Sequence, residues 1–136
     1  YTCLDPEHGG PWPTMPDGFQ ALAGRAATRA GFGAFVADSC LLNCYAIGAG
    51  MHLHQDKDEQ DLGSPIVSVS LGLACTFVLG GLQRGDPTAR VTLRHGDVVV
   101  WGGPARLRFH GVLPLKRGDH PCLGPRRMNL TFRRAG

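Results

Sequence analysis

The sequence predicts a mainly β domain, a sandwich or jelly roll with one N-terminal helix packed on its outside. Three observations carry that expectation. Helical periodicity occurs once, between Asp17 and Ala30. Beyond it, short runs of β-forming residues recur to the end of the chain. The 20 glycines and 10 prolines of the 136 residues lie between those runs, where turns belong, and form no tract or repeat.

Residues 1–16, YTCLDPEHGGPWPTMP, read as loop with a short edge strand. In the helix, Phe19, Leu22, Ala23, Ala26, Ala27 and Ala30 recur at helical spacing, Asp17 suits the N-cap and Gly31 the stop. The strands expected are 39–46, 65–73, 75–79, 90–94, 98–101, 107–109, 112–115 and 127–134, separated by GLQRGDP, RHGD, WGGP and KRGDHP. PIVSVSLGL alternates apolar with small or polar residues, as a strand between two different faces does. Many short strands behind one helix make a double-layered fold whose mouth can hold a small molecule and a metal.

With 136 residues the chain is expected to be one domain, 1–136. The net charge of +3 is a mild basic bias, compatible with nucleic acid but equally ordinary for a solvated surface. The five cysteines (Cys3, Cys40, Cys44, Cys75 and Cys122) are odd in number and hold no CxxC pair. That argues against a disulfide framework or zinc knuckle and for a reducing, cytoplasmic setting. No apolar run is long enough to span a bilayer.

The segment MHLHQDKDE places His52, His54, Asp56 and Asp58 two apart, so that an extended chain would present them on one side. His54 and Asp56 form an HxD pair within reach of one cation, although the same spacing suits a solvated turn. A third ligand would come from His8, His52, His95, His110 or His120. His110, ending RLRFH, stands where a strand would deliver an imidazole to the mouth of the fold. Two histidines and a carboxylate make the facial triad of non-haem Fe(II) oxygenases, which leaves coordination positions open. In RRMNLTFRR, Arg127, Asn129, Thr131 and Arg133 alternate with Met128, Leu130 and Phe132, which predicts one polar, guanidinium-bearing face and one core face. Guanidinium forks suit carboxylates, and Asn43 and Tyr45, two apart, add hydrogen-bonding groups. Trp12 reads as a packing anchor, Trp101 as lining between core and mouth, Cys40 and Cys44 as small buried residues, and His52 as a bystander.

With PWPTMP, RAATRAGF, NCYAIGAGMHLHQDKDE, PIVSVSLGL, FVLGGLQRGDP, HGDVVVWGG, FHGVLPL and RMNLTFRRAG in this order, the chain resembles the AlkB family of Fe(II)- and 2-oxoglutarate-dependent nucleic-acid dealkylases, its bacterial repair enzymes above all. The resemblance implies a double-stranded β-helix with Fe(II) on His54, Asp56 and His110, and with 2-oxoglutarate and O2 as co-substrates. It implies Arg133 at the distal carboxylate of 2-oxoglutarate, Arg127 near its C1 carboxylate, and Asn43, Tyr45 and Asn129 adding hydrogen bonds. It implies Asp58 and Arg84 facing the damaged base, Gln55 and Lys57 near the strand, and Tyr1 at the substrate mouth. The substrate implied is alkylated single-stranded DNA, with RNA or duplex DNA as further partners, handled by a monomer. A carboxylate such as Asp58 would prefer the cationic ring of 1-methyladenine or 3-methylcytosine to a neutral base.

The chain departs from the family in three ways. Its bacterial members carry more chain before the Tyr1 position, including part of a nucleotide-recognition lid. Cys44 stands where an arginine is usual and Met128 where an aromatic is common. Two other functions fit the same motifs: a 2-oxoglutarate oxygenase acting on methylated RNA, protein or a small molecule, and a catalytically silent nucleic-acid-binding module.

Overall fold

The computed structural model describes residues 1–2 and 4–136; Cys3 lies outside the described residues. Helix α1 spans Asp17–Arg29. The strands that follow are β1 Ser39–Ala46, β2 Met51–His54, β3 Ile66–Gly72, β4 Cys75–Leu79, β5 Ala89–Leu93, β6 Val98–Trp101, β7 His110–Val112 and β8 Arg126–Arg133. They form two antiparallel four-stranded sheets, β1-β8-β3-β6 and β2-β7-β4-β5. This is the expected mainly β jelly roll with one helix outside.

Alternation in β3 and β8 explains why the first sheet has two chemistries. Val67, Val69, Leu130 and Phe132 point to α1, where Ala23 and Ala27 let the helix approach and Phe19 meets Phe132 edge-on at 5.8 Å. Ser68, Ser70, Asn129, Thr131 and the β8 arginines point to the other side. A second cluster, Tyr45, Cys75, Phe77, Leu93 and Leu115, draws on both sheets. Among the described residues, no helix is long and apolar enough to cross a membrane.

Several boundaries differ from expectation. Asp17 is the first helical residue, and extended Pro16 takes the cap position. No strand covers 107–109: Arg108 closes a turn onto Ala105, Phe109 pairs with the Gly80–Gly81 corner, and the strand begins at His110. It ends at Val112 rather than Leu115, since Pro114 has no N–H to extend the ladder. Among the described residues of the segment 1–16, the one pairing is an isolated bridge, Leu4 to Pro11. Trp12 is no packing anchor: it is 53% exposed, its indole N–H donating to the Thr2 carbonyl. Cys44 is exposed rather than buried, and Cys40 half-buried, because β1 is an edge strand.

Strands β2 and β7 run unusually close. A Cβ on Gly111 would lie 2.6 Å from the Met51 carbonyl oxygen, and one on Gly50 would lie 2.6 Å from that of Val112. This approach sets His54 opposite His110 in the register. Gly111→Ala is therefore expected to destabilise the fold by about 1–3 kcal/mol through overpacking and to weaken metal binding by parting the two imidazoles. Urea denaturation and a Co(II) titration measure both effects; unchanged values would show that the approach is not required.

Candidate active site

The close pair β2–β7 supplies two imidazoles, and the irregular segment after β2 turns Asp56 back between them. The Nε2 atom of His54 is 3.5 Å from Asp56 Oδ1, and that of His110 is 3.7 Å from Asp56 Oδ2. One ligand atom from each residue lies within 4.8 Å of the others, so a single cation can reach all three. His54 Nδ1 donates to the His52 carbonyl at 2.8 Å and His110 Nδ1 to that of Arg108 at 3.1 Å. Both bonds fix the tautomer that leaves Nε2 free for a metal. Two neutral imidazoles and a carboxylate suit Fe(II) or another first-row divalent ion.

The charges follow from burial and pairing. Burial pushes the Asp56 carboxyl upward, but the His54 hydrogen bond and the Arg133 charge outweigh it and hold Asp56 well below the usual carboxylate range. The hydrogen bond to Asp56 raises the His54 pKa, whereas burial lowers that of His110.

The inner cavity, about 50 Å³, is lined from β1 by Asn43 and Tyr45, from β7 by His110 and from β8 by Arg127, Asn129, Thr131 and Arg133. The two arginines differ sharply. Arg133 donates to Asp56 Oδ2 at 2.8 Å and pairs with Glu59 at 3.1 Å, beside the metal ligands. Arg127 is 1% exposed and donates to Ser70 Oγ at 3.0 Å, and its Nε and Nη1 have no partner. Its guanidinium lies 5.1 Å from the Tyr45 ring. Asn129 is held by Ser68 and the Val69 carbonyl and accepts from Thr131. A buried guanidinium with free donors, among Asn and Tyr side chains, fits an anionic co-substrate carboxylate.

An outer basin of about 340 Å³ opens above the triad, lined by Tyr1, Leu41, Met51, Asp58, Glu59 and Arg133 among others. Asp58 and Lys57 are exposed. Tyr1 donates its hydroxyl to Glu59 at 2.8 Å, and burial of that end with this bond pushes its pKa up to about 12. The remaining expected residues stand apart. Gln55 donates to the Leu107 carbonyl at 2.6 Å. Arg84 lies over the Phe109 ring at 4.9 Å and donates to the Leu53 carbonyl, and it is not among the residues lining the basin. His52 is exposed on β2. Cys44 and Met128 are direct partners in the β1–β8 register, so the two departures form one cross-strand pair on the face away from the cavity.

Glu59 and Arg106 escaped the reading of the sequence. Both are buried and paired with each other at 3.0 Å. The alternation that groups His54, Asp56 and Asp58 ends with β2 at His54, which is why Glu59 is buried while Asp58 is exposed. A buried acid in a charged run and an arginine after WGGP leave no periodic signal.

Metal binding needs unprotonated imidazoles. Because the His54 pKa is raised above the ordinary value of about 6.5, Co(II) affinity is expected to weaken as pH falls through that raised value, with His110 competing only in more acidic solution. Quenching of Trp101 fluorescence, whose ring is 4.9 Å from that of His110, follows this between about pH 8 and 5. A flat profile would contradict the assignment of His54.

The family model of the 2OG-Fe(II) oxygenase superfamily matches residues 1–133. The chain is 58% identical over 136 residues to the alpha-ketoglutarate-dependent dioxygenase AlkB of Escherichia coli (strain K12), covering 100% of this chain and 63% of that protein. It is 46% identical to the AlkB homolog of Caulobacter vibrioides, over 99% of this chain and 60% of that protein. The chain thus spans about six-tenths of the length of these curated relatives. The solved structure of OsALKBH1 superposes with a TM-score of 0.88 at 34% identity, over 98% of this chain and 72% of that one. These likenesses cover the sheets, the triad and both cavity arginines alike, and the chain belongs to the AlkB family of the 2OG-Fe(II) oxygenase superfamily.

Proposed function

We propose that this domain is the catalytic core of an Fe(II)- and 2-oxoglutarate-dependent dioxygenase that removes alkyl groups from damaged bases, in single-stranded DNA first and in RNA or duplex DNA as further substrates. The observation that carries the reading is the buried Arg127 guanidinium, whose Nε and Nη1 have no partner, lining the same cavity as the His54–Asp56–His110 triad. Such a cavity accepts a molecule with a metal-chelating end and a distal carboxylate. The names of two relatives, an alpha-ketoglutarate-dependent dioxygenase of Escherichia coli and a nucleic acid dioxygenase of Mus musculus, support the co-substrate and the nucleic-acid part of this reading.

Bound together, Fe(II) and 2-oxoglutarate supply the activation of dioxygen that hydroxylates an alkyl carbon. The chain's residues hold and orient the participants. His54, Asp56 and His110 would be the ligands. Arg127, with Tyr45 beside it, takes the distal carboxylate, and Arg133, next to Asp56, serves the metal end with the cross-strand pair Asn43 and Asn129. This exchanges the roles that the resemblance implied for the two arginines. The exchange follows from their partners: Arg133 already has two carboxylates, while Arg127 has none among the described residues.

In the outer basin, Asp58 offers a negative charge to a base made cationic by methylation, and Tyr1 and Met51 border its ring. A lesion that cannot pair is extruded for less than the few kcal/mol, roughly, that a normal base costs. Lys57 and the exposed donors of Arg84 serve the phosphates, and Gln55 braces the rim through Leu107. We place the enzyme in the cytoplasm as a monomer; the four described cysteines are free, which suits a reducing compartment.

The test is anaerobic loading with Fe(II), then 2-oxoglutarate, air and a single-stranded oligonucleotide carrying 1-methyladenine. Loss of the methyl group with matching succinate is expected. Succinate without demethylation would point to another substrate, and neither product would sink the reading. Asp56→Ala should abolish turnover, whereas Asp58→Asn should cost a few-fold and mainly narrow the preference for cationic over neutral lesions. Equal losses would contradict their separate roles.

A further inference from the structure

The segment that carries Asp56 has no ladder of its own. From residue 55 to residue 65 the chain is in neither helix nor strand, yet Asp56 is 9% exposed and must be held at a fixed angle to two imidazoles. What holds it comes from across the fold. Arg106 follows the short 3-10 turn Gly103–Ala105, on the connection that leads from β6 to His110. Its side chain is 4% exposed, and all three guanidinium nitrogens are used. Nη1 donates to the Asp56 carbonyl at 2.6 Å, Nε to the Ser64 carbonyl at 3.1 Å, and Nη2 to Glu59 Oε2 at 3.0 Å.

Glu59 extends the arrangement. Its other oxygen lies 3.1 Å from Arg133 Nε and accepts from the Tyr1 hydroxyl, while Arg133 reaches Asp56 Oδ2 at 2.8 Å. The contacts close a ring that leaves Asp56 by its carbonyl, runs through Arg106, Glu59 and Arg133, and returns to Asp56 by its carboxylate. Two guanidiniums and two carboxylates make it neutral. Glu59 thereby gives Arg133 a carboxylate that is not a metal ligand, so the positive charge beside the triad stays compensated when Asp56 turns to a cation.

We infer that Arg106 is a positioning residue of the metal centre: it orients Asp56 through the backbone and, through Glu59, neutralises and places Arg133. The inference rests on the reading of His54, Asp56 and His110 as a metal triad. Supporting groups of this kind set metal affinity by about 10–100-fold. A guanidinium fork can satisfy three divergent acceptors at once, and a lysine ammonium on its flexible stem cannot match that geometry.

The experiment compares wild type with Arg106→Gln, Arg106→Lys, Glu59→Gln and the Arg106→Gln/Glu59→Gln double variant. Co(II) dissociation constants come from fluorescence quenching of the metal-free protein, melting temperatures are measured alongside, and KM for 2-oxoglutarate is read separately from kcat. Arg106→Gln should raise the Co(II) constant about 10–100-fold in protein that still melts cooperatively, with Arg106→Lys recovering part of the loss. Glu59→Gln, nearly isosteric, should weaken Co(II) binding and raise KM, and the double variant should be no worse than the poorer single one. A purely structural role would lower the melting temperature and leave Co(II) affinity and KM as in wild type, and that result overturns the inference. If Arg106→Gln does not fold, Glu59→Gln decides: unchanged Co(II) affinity and KM overturn it. A wild-type chain that binds no Co(II) overturns the reading of the triad itself, and this inference with it.

Discussion

Unpaired charge inside a protein is expensive, with an effective penalty of several kcal/mol per ion even after relaxation, and that constraint organises this molecule. Among the described residues, the buried acids and arginines are Asp56, Glu59, Arg106, Arg127 and Arg133, three guanidiniums against two carboxylates. Four of them close on one another. The fifth, Arg127, keeps only a serine hydroxyl and the face of Tyr45. The surplus positive charge lines the same cavity as His54, Asp56 and His110, and under the proposed function that imbalance is what favours an anionic, chelating molecule.

The scaffold makes the imbalance sustainable. Strand β8 lies between β1 and β3 in one sheet, so its backbone is paired on both flanks, while Arg127 and Asn129 bond to β3 and the apolar side chains seal against α1. Serines at 68 and 70 are small enough to leave room and polar enough to hold Asn129 and Arg127. In the other sheet, Gly50 and Gly111 let β2 and β7 approach until His54 and His110 face each other. The two sheets thus divide the labour: one supplies the arginines and amides that line the cavity, the other the imidazoles, and the irregular segment after β2 inserts the carboxylate between them.

Much of this was legible from residues alone, and the limits have physical causes. Period-two alternation in PIVSVSLGL and RRMNLTFRR gave both faces of the first sheet, because strands in the middle of a sheet keep strict alternation. HxD alone also suited a solvated turn and left the third ligand open among five histidines; the set His54, Asp56 and His110 came from the family resemblance, and the fold brings these three together. What escaped lies where the backbone is irregular. The alternation of His54, Asp56 and Asp58 could not be carried to Glu59, because β2 ends at His54 and the parity ends with it. Arg106, in an aperiodic turn, gave no sign that it would be buried. The different partners of Arg127 and Arg133 were also invisible, since both share one strand face and alternation does not say what stands opposite each.

Whether Arg127 takes a distal carboxylate is decided by removing that carboxylate from the ligand instead of from the protein. With Co(II) bound, the affinities of 2-oxoglutarate and 2-oxobutyrate, which keeps the keto-acid end and lacks the second carboxylate, are compared in wild type, Arg127→Met and Arg133→Met. The account predicts that wild type strongly prefers 2-oxoglutarate, and that Arg127→Met alone abolishes the preference. Equal binding of the two acids by wild type, or a preference lost in Arg133→Met and kept in Arg127→Met, would contradict it.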